Sequence, residues 1–247
     1  MSPNASTTSR SADCGMHCAH CLERLCTHGI PIFASLAYPQ LEKISEKTVH
    51  RTYAKGEVLL AEGEHPDYVA ILNEGSVKAS RVTADGREQI LYVFSAGDFY
   101  GEQNLLFDRP SPYAITALEP VALCLFYKKD FQQLLADNPD ISLKIIGELG
   151  WRMSHLENTV RNLGVRSLES RIGAVLLEFA RKYGRRRADG VLVDMPLSRE
   201  GLASYIGIAR ETVSRKLGML EDEGMIRSVG SRAILIRDTK ALEELAG

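Results

Sequence analysis

The stretch Leu197–Ile226, LSREGLASYIGIARETVSRKLGMLEDEGMI, leaves this chain few ways to fold. Leu202, Ala203 and Ile206 recur at helical spacing after Ser198, whose hydroxyl can accept a backbone N–H as an N-cap. Gly207 follows, and glycine takes the left-handed conformation of a tight turn without steric cost. A second helix, from about Arg210 to Glu221, would bury Val213, Leu217 and Leu220 and turn Arg210, Glu211, Ser214 and Arg215 outward. Ala203 is small where the two helices must pass close. The layout is a helix-turn-helix, in which polar residues early in the second helix meet base edges in the major groove. The alternating RSVGSRAILIRD that follows reads as a hairpin around Gly230-Ser231, the wing of a winged helix-turn-helix.

At 247 residues the chain has room for two modest domains. A net charge of −2 argues against a protein that coats nucleic acid without regard to sequence. Residues 165–247, however, hold 15 Lys and Arg against 12 Asp and Glu, a net of +3 that leaves −5 for the rest. A mildly basic C-terminal part joined to an acidic remainder suits a sequence reader attached to a sensor. No apolar run approaches the ~20 residues that span a bilayer, and MSPNASTTSRSAD has no apolar signal core, so a cytoplasmic location is expected.

Four of the five cysteines, Cys14, Cys18, Cys21 and Cys26, crowd into one N-terminal stretch. In a reducing compartment this is metal or redox chemistry rather than a disulfide framework. On a helix Cys14, Cys18 and Cys21 would share a face; a turn after Cys21 would instead let Cys18, Cys21 and Cys26 converge. Either triplet needs a fourth ligand. Cys124, in the buried-strand pattern VALCLFY, is the one cysteine left, although a lone Cys there reads first as a small core residue. His17, His20 and His28 keep a mixed Cys/His zinc site open.

From Ile32 to about Phe131, short Val/Ile/Leu/Tyr-rich segments alternate with glycines, as in a compact β-sandwich or β-roll. No GxSxG, phosphate-cradling GxxxxGKS or histidine–carboxylate pair at catalytic spacing calls for an enzyme. A long helix is expected from Asp140 to about Leu163. Ile145 or Ile146, Leu149, Met153, Leu156, Val160 and Leu163 recur at three- and four-residue steps, a seam for a second helix. Another amphipathic helix covers residues 168–183, and residues 184–190, GRRRADG, read as a loop with its arginines open to phosphate or to solvent.

A β-roll, a long helix and then ARETVSRKLGMLEDEGMI resemble the cAMP receptor protein/FNR family of bacterial transcription regulators, over nearly the whole chain from about Ile32. The cysteine-rich start together with Cys124 is similar to the FNR branch, the oxygen-responsive iron–sulfur regulators. That resemblance implies a 4Fe-4S cluster on Cys18, Cys21, Cys26 and Cys124. Four residues separate Cys21 from Cys26 where the best-known pattern has five, which keeps Cys14 as a substitute. Cyclic-nucleotide binders of the family keep Gly-Glu and, later, an Arg-Ser pair on the phosphate. Gly101-Glu102 is present, but the arginine position reads Ser111-Pro112-Tyr113 and Arg109 falls early, which argues against a cyclic nucleotide. Glu211, Ser214 and Arg215 match the FNR-type readers of TTGAT half-sites, whereas Arg210 resembles the branch that reads TGTGA.

The expected architecture is α+β: a Cys-rich segment (1–31), a cyclic-nucleotide-binding-like β-roll (32–136), a dimerisation helix (137–164) and a winged helix-turn-helix (165–247). The expected protein is a homodimeric regulator on palindromic DNA, working with RNA polymerase, away from membranes, and controlled by an oxygen-labile cluster. A zinc, thiol-redox or haem/NO sensor on the same scaffold is the alternative.

Overall fold

The structure is a computed structural model that describes residue 33 and residues 36–103, 109–165, 167–230 and 232–247. Cys14, Cys18, Cys21 and Cys26, with His17, His20 and His28, lie outside the described residues. The chain separates into two compact units. One combines residues before 80 with Val93–Gly147; the other combines Ser80–Tyr92 with Glu148–Gly247.

Eight strands make the roll: β1 (Thr48–Tyr53), β2 (Val58–Leu60), β3 (Tyr68–Glu74), β4 (Ser76–Val82), β5 (Glu88–Ser95), β6 (Phe99–Tyr100), β7 (Ala114–Ala117) and β8 (Val121–Tyr127). They form two four-stranded sheets, ordered β1-β8-β3-β6 and β2-β7-β4-β5. In the centre of the first sheet, Val69, Ala70, Ile71 and Leu72 of β3 lie beside Leu123, Cys124, Leu125 and Phe126 of β8, all buried. These are continuous apolar runs because both faces of the sheet are covered. At the β3–β4 turn only glycine fits: Gly75 has φ +80°, and a Cβ there would sit 2.3 Å from the Pro120 carbonyl oxygen. Helix α1 (Tyr38–Glu46) buries Leu41 and Ile44, and α2 (Lys128–Asp137) sets Phe131 edge-on against Phe126 at 5.4 Å. Lys47 and Asp130 join the two helices by an ion pair of 3.0 Å. Neither helix stands out in the sequence, where short amphipathic segments are easily read as strand connections.

Helix α3 runs Pro139–Val165, slightly beyond the expected bounds. Its buried side carries Ile141 and Ile145, so of the two residues named for the expected seam Ile145 is 6% exposed and Ile146 is 63% exposed.

In the second unit α4 (Leu168–Tyr183) is capped by the Ser167 hydroxyl, which accepts from Ser170 N at 3.2 Å, and buries Ile172, Leu176 and Phe179. Next come β9 (Gly184–Arg187), β10 (Gly190–Asp194), α5 (Arg199–Ile206), α6 (Arg210–Asp222), β11 (Ile226–Val229), β12 (Ala233–Ile236) and α7 (Thr239–Ala246). The strands order as β11-β12-β10-β9. Residues 184–190 therefore correct the expectation of a loop: Arg185, Arg186 and Arg187 form an edge strand, with Arg186 opposite Val191. An edge strand satisfies its backbone on one side while its side chains stay in water, so arginines are compatible with it and discourage further pairing. No helix among the described residues is long and apolar enough to cross a membrane.

Candidate nucleic-acid interface and the Cys124 sheet

The helix-turn-helix forms as its local sequence requires. Ser198 Oγ accepts from Gly201 N at 3.1 Å, and Leu202, Ala203 and Ile206 are buried. Gly207 takes φ 78°, ψ 42° and closes α5 through its N–H to the Ala203 carbonyl at 2.8 Å. The Arg171 guanidinium of α4 donates to the Ile206 carbonyl, holding the turn from the side. Helix α6 buries Val213, Leu217 and Leu220, the spacing its sequence predicts. Arg210, Glu211, Ser214 and Arg215 are exposed on the outer face, and their side chains have no hydrogen bond or ion pair among the described residues. Four polar side chains left unengaged on the first two turns are available to an external partner.

Three contacts that the sequence does not reveal set the position of α6 and the wing. Lys216 is ion-paired to Glu169 of α4; its hydrogen bond is the main cause of the fall of the Glu169 carboxyl to about 2. Glu221 takes both Ser228 N and Ser228 Oγ at 3.0 Å, fastening the end of α6 to β11. Arg199, at the start of α5, reaches the same Ser228 hydroxyl at 3.2 Å. These side chains belong to different elements, so no periodicity links them.

On α3, Ile146, Leu149, Met153 and Leu156 follow steps of three and four residues on one side of the helix. Leu149 is half-buried, while Met153 and Leu156 are 59% and 41% exposed. The side chains of Val160 and Leu163 lie outside the described residues. Leu143, 66% exposed, widens the apolar face beyond the expected set; the exposed Trp151 lies on a different side.

Cys124 sits on β8 with 1% exposure. Antiparallel pairing sets it opposite His50 of β1 and Ile71 of β3. Its sulfur lies 2.9 Å from Asn73 Nδ2 and 3.2 Å from His50 Nδ1. The other end of that carboxamide, Asn73 Oδ1, is buried with no hydrogen-bond partner among the described residues. Neither His50 nor Asn73 was expected from the sequence. TVHRTY has little hydrophobic alternation, and Asn73 sits where the β3–β8 register shifts between Leu72 and Glu74. Among the described residues no three His, Cys, Asp or Glu side chains converge as a metal site. Any metal held through Cys124 would therefore need further ligands from outside them.

Where a cyclic phosphate clamp would require a guanidinium, Ser111 and Tyr113 point inward and are buried; Pro112 and Arg109 are exposed. Ser111 Oγ donates to the Tyr113 carbonyl at 2.7 Å. Gly101 has φ +90° and Glu102 is 4% exposed. Tyr100 is buried 6.0 Å from the Phe94 ring. Burial drives its hydroxyl well above the usual tyrosine range, with Tyr68, Tyr53 and Tyr113 adding to the effect.

A β-roll and a winged helix-turn-helix with a free reading face define a DNA-binding regulator of transcription. Comparison with known proteins agrees: the cyclic nucleotide-binding domain family matches residues 50–138, and the Crp-like helix-turn-helix domain family matches residues 170–245. The probable transcriptional regulator flp of Lacticaseibacillus casei is 33% identical over 225 residues, covering 90% of this chain and 98% of that protein. The CRP-like cAMP-activated global transcriptional regulator of Mycobacterium tuberculosis is 28% identical, covering 78% of this chain and 86% of its own length. Among solved structures, FixK2 from Bradyrhizobium japonicum superposes with a TM-score of 0.71 at 26% identity, over 81% of this chain and 98% of that one. The chain belongs to the CRP/FNR family of transcription regulators.

Proposed function

We propose that this regulator works as a homodimer on a palindromic TTGAT-like site and senses oxygen through a 4Fe-4S cluster held by Cys18, Cys21, Cys26 and Cys124. The observation that carries the sensor reading is the setting of Cys124. A buried sulfur on an inner strand faces an amide N–H and an imidazole nitrogen, a polar setting that suits a metal-bound thiolate. When bound, the cluster supplies an oxygen-labile link between the N-terminal cysteines and the sheet. Cys18, Cys21 and Cys26, or Cys14 in place of one of them, would draw their segment onto the roll. Release of that segment then alters how the long helices pair, and with it the affinity for DNA. The residues at 111–113 offer no cation to a cyclic phosphate, so the trigger is not a cyclic nucleotide.

On DNA, Arg215 is suited to guanine O6 and N7 and Glu211 to cytosine N4, while Ser214 accepts either partner and Arg210 reaches the same groove. The apolar seam through Leu149, Met153, Leu156, Val160 and Leu163 joins two protomers and sets their α6 helices about 34 Å apart, one turn of the duplex. RNA polymerase is the further partner of a regulator placed there.

The test is an absorption spectrum of protein purified without oxygen, with iron and sulfide assayed on the same sample. A visible band with about four irons per chain, bleached by air and absent in Cys124→Ala, is the expected result. A colourless protein sinks the oxygen-sensor reading and leaves DNA binding standing. If that protein holds one zinc, the contact between His50 and Cys124 favours the second reading, a mixed Cys/His zinc site. For the dimer, Leu156→Asp should shift sedimentation toward monomer by burying a charge in the seam. An unchanged dimer places the interface elsewhere.

A further inference from the structure

Asn73 is the part of the Cys124 setting that the family resemblance does not supply. Its Nδ2 lies 2.9 Å from the sulfur, from a strand 51 residues distant in sequence. We infer that Asn73 is a positioning residue that tunes the cluster through Cys124: its N–H donates to the ligating sulfur and sets how readily the cluster is reduced and lost. This rests on the cluster reading above.

Of the two nitrogens at the sulfur, only the amide has one possible role. His50 Nδ1 donates or accepts according to its tautomer, whereas a carboxamide nitrogen always donates. Turning the amide over would aim a carbonyl lone pair at a metal-bound sulfur, which repels it, so a thiolate ligand would favour Nδ2 facing the sulfur. An N–H donated to a ligating sulfur withdraws negative charge from it, which favours the reduced cluster and raises the potential. The Asn73 Oδ1 is buried, with no hydrogen-bond partner among the described residues.

The experiment uses the full chain, reconstituted without oxygen with ferrous iron and sulfide, as wild type, Asn73→Leu and Asn73→Asp. Leu keeps the branching and removes the donor; Asp keeps the shape and sets an acceptor beside the sulfur. The expected result is a lower midpoint potential in both, lowest in Asn73→Asp, and cluster loss in air about tenfold faster, the usual scale for losing an outer-shell partner. Asn73→Ser reports the same loss of the amide donor if the Leu variant does not fold. Wild-type potential and bleaching rate in the variants overturn the inference. So do folded variants that take up no cluster, because Asn73 is then part of the scaffold and not a tuner. A wild-type chain that takes up no cluster instead defeats the function reading itself, a different and separately visible outcome.

Discussion

The helix-turn-helix and the Cys124 sheet are built on opposite principles. Residues 197–236 take their local form from their own neighbours, with Ser198 capping its own helix, Gly207 ending it and the wing following directly, although α4 and β10 brace them from outside. The surroundings of Cys124 come from three strands, with His50 and Asn73 74 and 51 residues away. One region presents Arg210, Glu211, Ser214 and Arg215 outward and unengaged among the described residues; the other buries its sulfur beside a carboxamide whose oxygen has no hydrogen-bond partner among them. The contrast teaches where to look for each function. A DNA reader must expose rigid side chains to a large partner, so a self-contained local scaffold serves it. The proposed sensor would have to couple distant segments, which suits a setting drawn from three strands.

Mutations can test that separation. The largest effect should come from Leu217→Ala, which empties a fully packed position under the reading helix and should cost about 2–5 kcal/mol. Denaturant unfolding should show the C-terminal unit melting earlier while the His50 ring signals stay unchanged by NMR. Loss shared equally by both units would break the comparison. Arg215→Ala comes next, at about 1–3 kcal/mol of base discrimination. Anisotropy titration on a palindromic and a scrambled duplex checks it, and equal weakening on both would move Arg215 from bases to phosphate.

The smallest effect sharpens the comparison rather than testing it. Glu169→Gln should cost the C-terminal unit about 1 kcal/mol near neutral pH, because Glu169 and Lys216 join α4 to α6 across 47 residues. The carboxyl falls from 4.5 to about 2 on folding, chiefly through the Lys216 hydrogen bond. A depressed folded value means the stabilisation is complete above 4.5 and fades as the pH drops toward 2. Wild type should lose this increment within that window, and the variant should not. Stability followed by denaturant from neutral pH downward would show parallel curves if the pair contributes nothing.

Legibility in the sequence followed the same division. The recognition face, the turn and the wing were readable because a helix of 3.6-residue period and a capped turn depend on neighbours along the chain. Along the long helix only packing could choose between Ile145 and Ile146: the core took the first and left the second exposed. The arginines of residues 184–187 misled in the other direction, since a hydrophilic run says nothing of whether its backbone lies at a sheet edge.

By itself, then, the amino-acid order determined the elements of the helix-turn-helix: where its two helices begin, which face each buries, and that Arg210, Glu211, Ser214 and Arg215 share one exposed side. Only the tertiary structure decided that a histidine and an asparagine flank Cys124, that Glu221 and Arg199 converge on Ser228, and that Lys216 is held by Glu169. The reason is physical. Helical period and turn geometry are encoded over a few residues, whereas strand register and side-chain meetings between elements are settled when separate segments bury their apolar faces together.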